Sequence, residues 1–216
     1  MFERFSPATM LVIKKYAYWL WLLLVAGLPL SYWLSLDSAA PSLWAFFLVL
    51  TVFGLGPILD AFFGRDPANP DEEQQTPVLS KQGYYVLLTL ATAPVLVVSL
   101  LWAGQVFATY EAWGWFGKLG WLLSVGTVMG AVGIVVAHEL VHKDSALEQG
   151  AGGLILAAVC YAGFKVEHIR GHHVKVSTPE DASSARFGQS LFQFLPHADK
   201  HNFLNARTLE AESLRR

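Results

Sequence analysis

Thiols and charges are scarce, and each scarcity removes a class of protein. Cys160 is the only cysteine, so no intrachain disulfide can close, and a cysteine-built metal site would need more thiolates than one. Charged residues make up 15% of the 216-residue chain, well below the roughly one quarter usual in soluble domains. A basic excess is also missing: fifteen Lys and Arg face seventeen Asp and Glu, a formal net charge of -2. No positive field is available to hold a polyanion by counterion release, which argues against nucleic acid as a partner. Histidine is absent before position 138, where the first of the seven stands.

What is plentiful is apolar. Hydrophobic residues reach 54%, with eight Trp, seven Tyr and fourteen Phe, a composition that excludes disorder and suits a membrane protein with aromatic rings at the interfaces. Uncharged stretches cover residues 16–36, 38–59, 82–110 and 119–137. A helix needs about 20 apolar residues to cross a hydrocarbon core of about 30 Å. Backbone groups in lipid must bond within their own segment, so these stretches predict an all-α bundle of about four transmembrane helices, the first two forming a hairpin. Residues 64–81, with Pro67, Pro70, Pro77 and the acidic run Asp71-Glu72-Glu73, predict an aqueous loop.

A fifth apolar stretch, residues 149–164, is too short to cross and contains Gly150, Gly152 and Gly153; it is expected to lie along or dip into one membrane face. Lys14 and Lys15 before an apolar run ending near Ser38-Ala39-Ala40 imitate a signal peptide. The run outlasts the roughly 7–15 residues of such a signal and a second span follows at once, which predicts a retained anchor. Arg4, Lys14 and Lys15 place the N-terminus in the cytoplasm by the positive-inside rule, and four crossings return the chain there at His138. The expected organisation is a cytoplasmic N-terminus (1–15), a transmembrane region (16–137) and a cytoplasmic or interfacial segment (138–216) that holds nine of the fifteen Lys and Arg. Gly126 and Gly130 have the spacing for a close helix approach.

Five of the seven histidines fall in two tight groups. In His138-Glu139-Leu140-Val141-His142-Lys143 the two imidazoles lie one helical turn apart and can reach one metal. In Glu167-His168-Ile169-Arg170-Gly171-His172-His173, His168 and His172 repeat that spacing, with His173 rotated by about 100° toward a second ion or the far side of the first. A single histidine pair at a membrane edge is ordinarily just hydrogen-bonded; two groups brought to one side point to a metal. His138-Glu139-x-x-His142 also fits the zinc-hydrolase pattern in which the Glu is the general base. Five imidazoles exceed one tetrahedral ion, however, and favour a multi-metal site that activates oxygen.

These boxes, placed after four membrane helices, resemble the fatty acid desaturase and hydroxylase superfamily. The longer strings HELVHK and EHIRGHH, followed by Thr178-Pro179-Glu180-Asp181 and Ser184-Ala185-Arg186-Phe187-Gly188, resemble the integral-membrane alkane 1-monooxygenases most closely. The resemblance implies a non-haem di-iron enzyme of the bacterial inner membrane. It would insert one atom of dioxygen into the terminal methyl of a medium- or long-chain alkane, with electrons from rubredoxin and rubredoxin reductase. It assigns His138, His142, His168, His172 and His173 as ligands of two iron ions. The family's third box, His-x-x-His-His, and its His-Tyr-Gly element do not occur in this sequence, which is therefore expected to be an N-terminal part that does not complete the di-iron site alone. His197 and His201 lack the adjacent double histidine and are expected on the surface.

Asp60, Glu139 and Glu167 are candidates to accept the remaining N–H of a ligand histidine. Trp44, Phe46, Phe47 and Phe53 are candidates to line a hydrocarbon channel, since an alkane offers only apolar contact. Thr178-Pro179 has the pattern of a helix start. The alternatives are an acyl-lipid desaturase or hydroxylase, a membrane zinc protease and a non-catalytic scaffold.

Overall fold

A computed structural model describes residues 6–64, 69–79 and 81–215; Arg4 and Pro67 lie outside them. All regular structure among the described residues is helical, as the uncharged stretches predict. The chain divides into two compact units, Met1–Val136 and Ala137–Arg216.

In the first unit, α1 (Pro7–Ala17) opens on Ser6, whose hydroxyl accepts the Thr9 N–H, and continues through a tight turn at Tyr18–Leu20 into α2 (Trp21–Leu36). The second uncharged stretch, expected as one crossing helix, is divided. Pro41 opens a single turn, α3 (Pro41–Trp44), and the chain kinks at Phe46, which takes φ -90° and ψ 3°. Helix resumes as α4 (Phe47–Leu50), a wide turn at Thr51–Leu55 and α5 (Gly56–Phe63). The wide turn falls beside Pro57, which has no N–H for the ladder, and the Gly56 N–H reaches back five residues to the Thr51 carbonyl. The apolar helix Phe47–Phe63 is about 26 Å long, short of the roughly 30 Å core by itself.

A broken helix in apolar surroundings frees carbonyls that have no water to turn to. Three buried serines take them. Ser31 donates to the Trp44 carbonyl at 2.6 Å, Ser124 to the Ala45 carbonyl at 2.7 Å, and Ser35 to the Pro41 carbonyl at 3.2 Å. The Trp113 indole N–H donates to Ser35 Oγ at 3.0 Å and closes the network.

After the loop and its short α6 (Thr76–Leu79) come α7 (Gly83–Thr109), a tight turn at Glu111–Trp113, α8 (Gly114–Val128), a wide turn at Met129–Ile134 and α9 (Val135–Val141). Three helices among the described residues are long and apolar enough to cross a membrane: Ala8–Leu36, Gly83–Thr109 and Glu111–Val141. Trp33, Leu23, Phe53, Phe62, Leu101 and Trp115 are 65–79% exposed, as lipid-facing side chains are. The chain is a multi-pass membrane protein: three of the expected spans are long helices, and the second is the divided segment with its shorter apolar helix Phe47–Phe63.

Close approach occurs at glycines other than the expected pair. A Cβ at Gly120 would meet the Phe46 ring at 2.5 Å, and one at Gly27 would meet Leu48 at 2.5 Å, whereas among the described residues nothing lies within 4 Å of a Cβ at Gly126 or Gly130.

In the second unit, α10 (Ala146–Ala158) starts on Ser145 and has 13 residues, a length of about 20 Å that cannot cross. It approaches the end of α9 at Gly152, where a Cβ would stand 2.9 Å from Leu140 Cβ. Then follow α11 (Phe164–Glu167), a wide turn at His168–His172 and α12 (His173–Lys175). α13 (Leu191–Leu214) is opened by a reciprocal cap between Ser190 and Gln193 and packs on α11 and the wide turn. Thr178-Pro179 does not start a helix: the Asp181 N–H bonds the Thr178 carbonyl at 3.2 Å, and the segment is a turn.

Gly120→Val is expected to destabilise the purified protein by about 1–3 kcal/mol through overpacking against Phe46, while Gly126→Val leaves it unchanged. Thermal unfolding in detergent checks this, and equal effects of the two would contradict it.

Candidate metal centre

The second unit gathers the histidines by two local devices. On α9, His138 and His142 sit one turn apart, with ring centroids 5.0 Å from each other. In the second box, the His173 N–H bonds the His168 carbonyl, five residues back. That wide turn brings position i+5 as well as i+4 alongside position i, so His173 Nε2 reaches His168 Nε2 while His172 stacks on the His168 ring. Gly171 permits it, because a Cβ there would stand 2.7 Å from the Glu167 Oε1.

His142 Nε2 and His173 Nε2 each lie 3.0 Å from His168 Nε2. Nitrogens of His138, His142 and His168 all fall within 4.8 Å of one another. His168 is buried at 8% exposure, with Phe164 stacked on it at 4.7 Å and His172 at 5.4 Å. His172 turns away from the knot: its Nδ1 lies 2.9 Å from Asp181 Oδ2. Asp181 ends the string Thr178-Pro179-Glu180-Asp181, and nothing in its spacing from the boxes singles it out as a partner of His172.

These donors fit a cation. A neutral imidazole nitrogen carries either one proton or one lone pair, so His168 Nε2 cannot make good hydrogen bonds to both His142 and His173. A shared positive ion satisfies all three lone pairs. Two nitrogens sharing one ion at about 2.1 Å stand about 3.0–3.4 Å apart, and the 3.0 Å spacing falls within that range.

The electrostatics point the same way. Burial, followed by the neighbouring His138, His173, His142 and His172, lowers the His168 pKa to about 4. His142 is also lowered, by desolvation first and then by His138 and His173. Both rings are therefore neutral near pH 7, as a metal ligand must be. Burial opposes the charge on Asp181, but donors from Ser184, His172 and the Ser183 N–H together hold its carboxyl below the usual range. Burial raises Glu167.

The other candidates divide. Glu139 is exposed and ion-paired with Lys143 one turn on. Glu167 is 3% exposed beneath Gly171 and hydrogen-bonds Asn205. His197 and His201 lie exposed on α13, as expected. Asp60 is exposed on α5 in the first unit. There, Phe46 packs on Phe116 and under Gly120, Phe53 is 68% exposed, and Trp44 and Phe47 line an open apolar groove of ≈ 560 Å³ with Leu50 and Leu55.

Comparison with known proteins gives this all-helical chain and its histidine knot their relatives. The fatty acid desaturase family model matches residues 113–210. Over 216 residues the chain is 74% identical to alkane 1-monooxygenase 1 of Pseudomonas aeruginosa, covering 100% of this chain and 56% of that protein. It is 64% identical to alkane 1-monooxygenase 2 of the same organism, covering 100% of this chain and 57% of the relative. Alkane 1-monooxygenase 2 of Alcanivorax borkumensis is 46% identical over 217 aligned residues, covering 100% of this chain and 56% of the relative. The resemblance drawn from the boxes thus extends along the whole chain, which spans about half the length of the curated relatives it matches.

The low His168 pKa sets a pH dependence. The unfolded chain takes up a proton near pH 6.5, the folded chain only near pH 4. The stability held by the neutral ring is whole above about pH 6.5 and is lost as the pH falls through about 4. Melting temperature of the metal-free protein is expected to drop across that window and to drop less in His168→Ala; a flat wild-type profile would contradict it.

Proposed function

We propose that this chain carries two histidine boxes of a non-haem di-iron monooxygenase that converts the terminal methyl of a medium- or long-chain n-alkane to a primary alcohol. Dioxygen is the oxidant, and electrons come from rubredoxin, itself reduced by rubredoxin reductase. The observation that carries this reading is the convergence of His142 and His173 on His168 Nε2, in a chain similar along its whole length to alkane 1-monooxygenases. His138, His142, His168, His172 and His173 are the ligands this chain contributes. Iron, when bound, supplies the activation of dioxygen.

The chain's own residues do three things in this scheme. Neutral imidazoles present lone pairs without a proton to displace. Phe164, stacked on His168, keeps water from that ring. Trp44 and Phe47, on their apolar groove, suit a hydrocarbon that has no polar handle, so position rather than hydrogen bonding selects the carbon attacked. Residues 1–15 and 138–216 face the cytoplasm and residues 16–137 form the inner-membrane region. This needs an even number of crossings, which the divided segment from Pro41 to Phe63 completes beside the three long helices, and Lys14 and Lys15 ahead of the first crossing support the orientation. A zinc protease on His138-Glu139-x-x-His142 leaves His168 and His173, which meet at the same place, without a role.

A chimera tests the reading: this chain joined to the remaining C-terminal part of the Pseudomonas aeruginosa alkane 1-monooxygenase 1. Membranes containing it are expected to hold iron and to form a 1-alcohol labelled from 18O2 when given an n-alkane and reduced rubredoxin. His168→Ala should lower the rate by roughly 100-fold or more, beyond what loss of an outer partner costs. Zinc at one ion per chain, or oxidation of acyl lipid with the alkane untouched, would overturn it.

A further inference from the structure

His172 stands apart from the four rings that meet. It stacks along His168 but directs Nδ1 to Asp181, whose side chain is 1% exposed. Every contact on that carboxylate can be a donor. The Ser184 hydroxyl and His172 Nδ1 reach Oδ2, and the Ser183 N–H reaches Oδ1 at 3.0 Å. The Ser183 hydroxyl in turn accepts the Asn202 side-chain N–H at 2.9 Å, which ties the turn to α13. Upstream, Thr178 Oγ1 donates to the Lys175 carbonyl at 2.7 Å and Ser177 takes φ 65°. The chain thus doubles back after the second box and returns a buried carboxylate nine positions beyond His172.

An ionised carboxylate only accepts, so the His172 proton sits on Nδ1 and the lone pair on Nε2. We infer that Asp181 is a positioning residue for the metal centre: its contact with Nδ1 holds His172 in the one tautomer and ring direction that leave Nε2 free to bind an ion. Carboxylates commonly play this part behind a ligand imidazole, fixing the ring and raising its basicity. The inference rests on the metal-centre reading above and adds to it a residue that touches no metal.

Co2+ is the probe, bound to the full chain in detergent and followed by chelator competition and by its visible ligand-field bands. Asp181→Ala is expected to weaken Co2+ by roughly 10–100-fold and to shift the bands. Asp181→Asn, which keeps an acceptor without the charge, should recover part of the loss. The deciding comparison is a double-mutant cycle: in a His172→Ala background, Asp181→Ala should cost nothing further, because its effect passes through that ring. A merely structural role would weaken binding equally in both backgrounds, and that result overturns the inference. Affinity within twofold of wild type in Asp181→Ala overturns it too, while leaving the metal centre standing. Failure of the wild-type chain to bind Co2+ overturns the metal-centre reading itself. Should Asp181→Ala not fold, Asp181→Asn and Ser184→Ala supply the same cycle, with smaller losses expected and the same outcomes deciding.

Discussion

An imidazole grips a metal only through a nitrogen that carries no proton, and the second unit is organised around keeping protons off His168. Phe164 covers the ring, burial removes the water that would stabilise a charge, and the other histidines would repel one. Each new histidine brought near raises the cost of protonating those already there. The knot is therefore self-reinforcing: crowding that would be unfavourable for cations is favourable for lone pairs awaiting one. The wide turn at His168–His172 and the glycine at position 171 are the backbone conditions for that crowding.

A parallel constraint governs the first unit. There the demand is on carbonyl groups, because the apolar surroundings give them no water. The kink at Phe46 survives because Ser31, Ser35 and Ser124, on neighbouring helices, reach the freed carbonyls of Trp44, Pro41 and Ala45. Small residues make the geometry possible, since Gly27 and Gly120 let Leu48 and Phe46 press directly on helix backbone. In both units an irregular turn in a helix is held by partners distant in sequence, and in the second unit it creates the site.

Much of this was legible along the chain. Hydropathy marks the long helices at Ala8–Leu36, Gly83–Thr109 and Glu111–Val141, because crossing a bilayer demands length and apolarity that are local properties. The histidine boxes are equally local, and their spacing already suggests metal. The division of the second segment was not legible: no proline stands at Phe46, and the hydroxyls that accommodate the kink lie on α2 and α8. The helix start proposed at Thr178-Pro179 failed because Thr178 spends its hydroxyl on the Lys175 carbonyl in a turn. Gly126 and Gly130 had the right spacing but among the described residues face no neighbour within 4 Å of a Cβ, a fact that spacing cannot reveal.

Residue type and periodicity alone determined that this is a helical membrane chain bearing clustered imidazoles, since both follow from transfer energies and helical repeat within a few turns of sequence. Tertiary structure decided which imidazoles meet. A regular helix would have paired His168 with His172 alone; the wide turn also sets the His173 nitrogen against it, while His172, stacked on His168, turns Nδ1 to Asp181. That arrangement depends on a five-residue hydrogen bond and on a carboxylate returned by a later turn, neither of which has a signature in any single stretch of sequence.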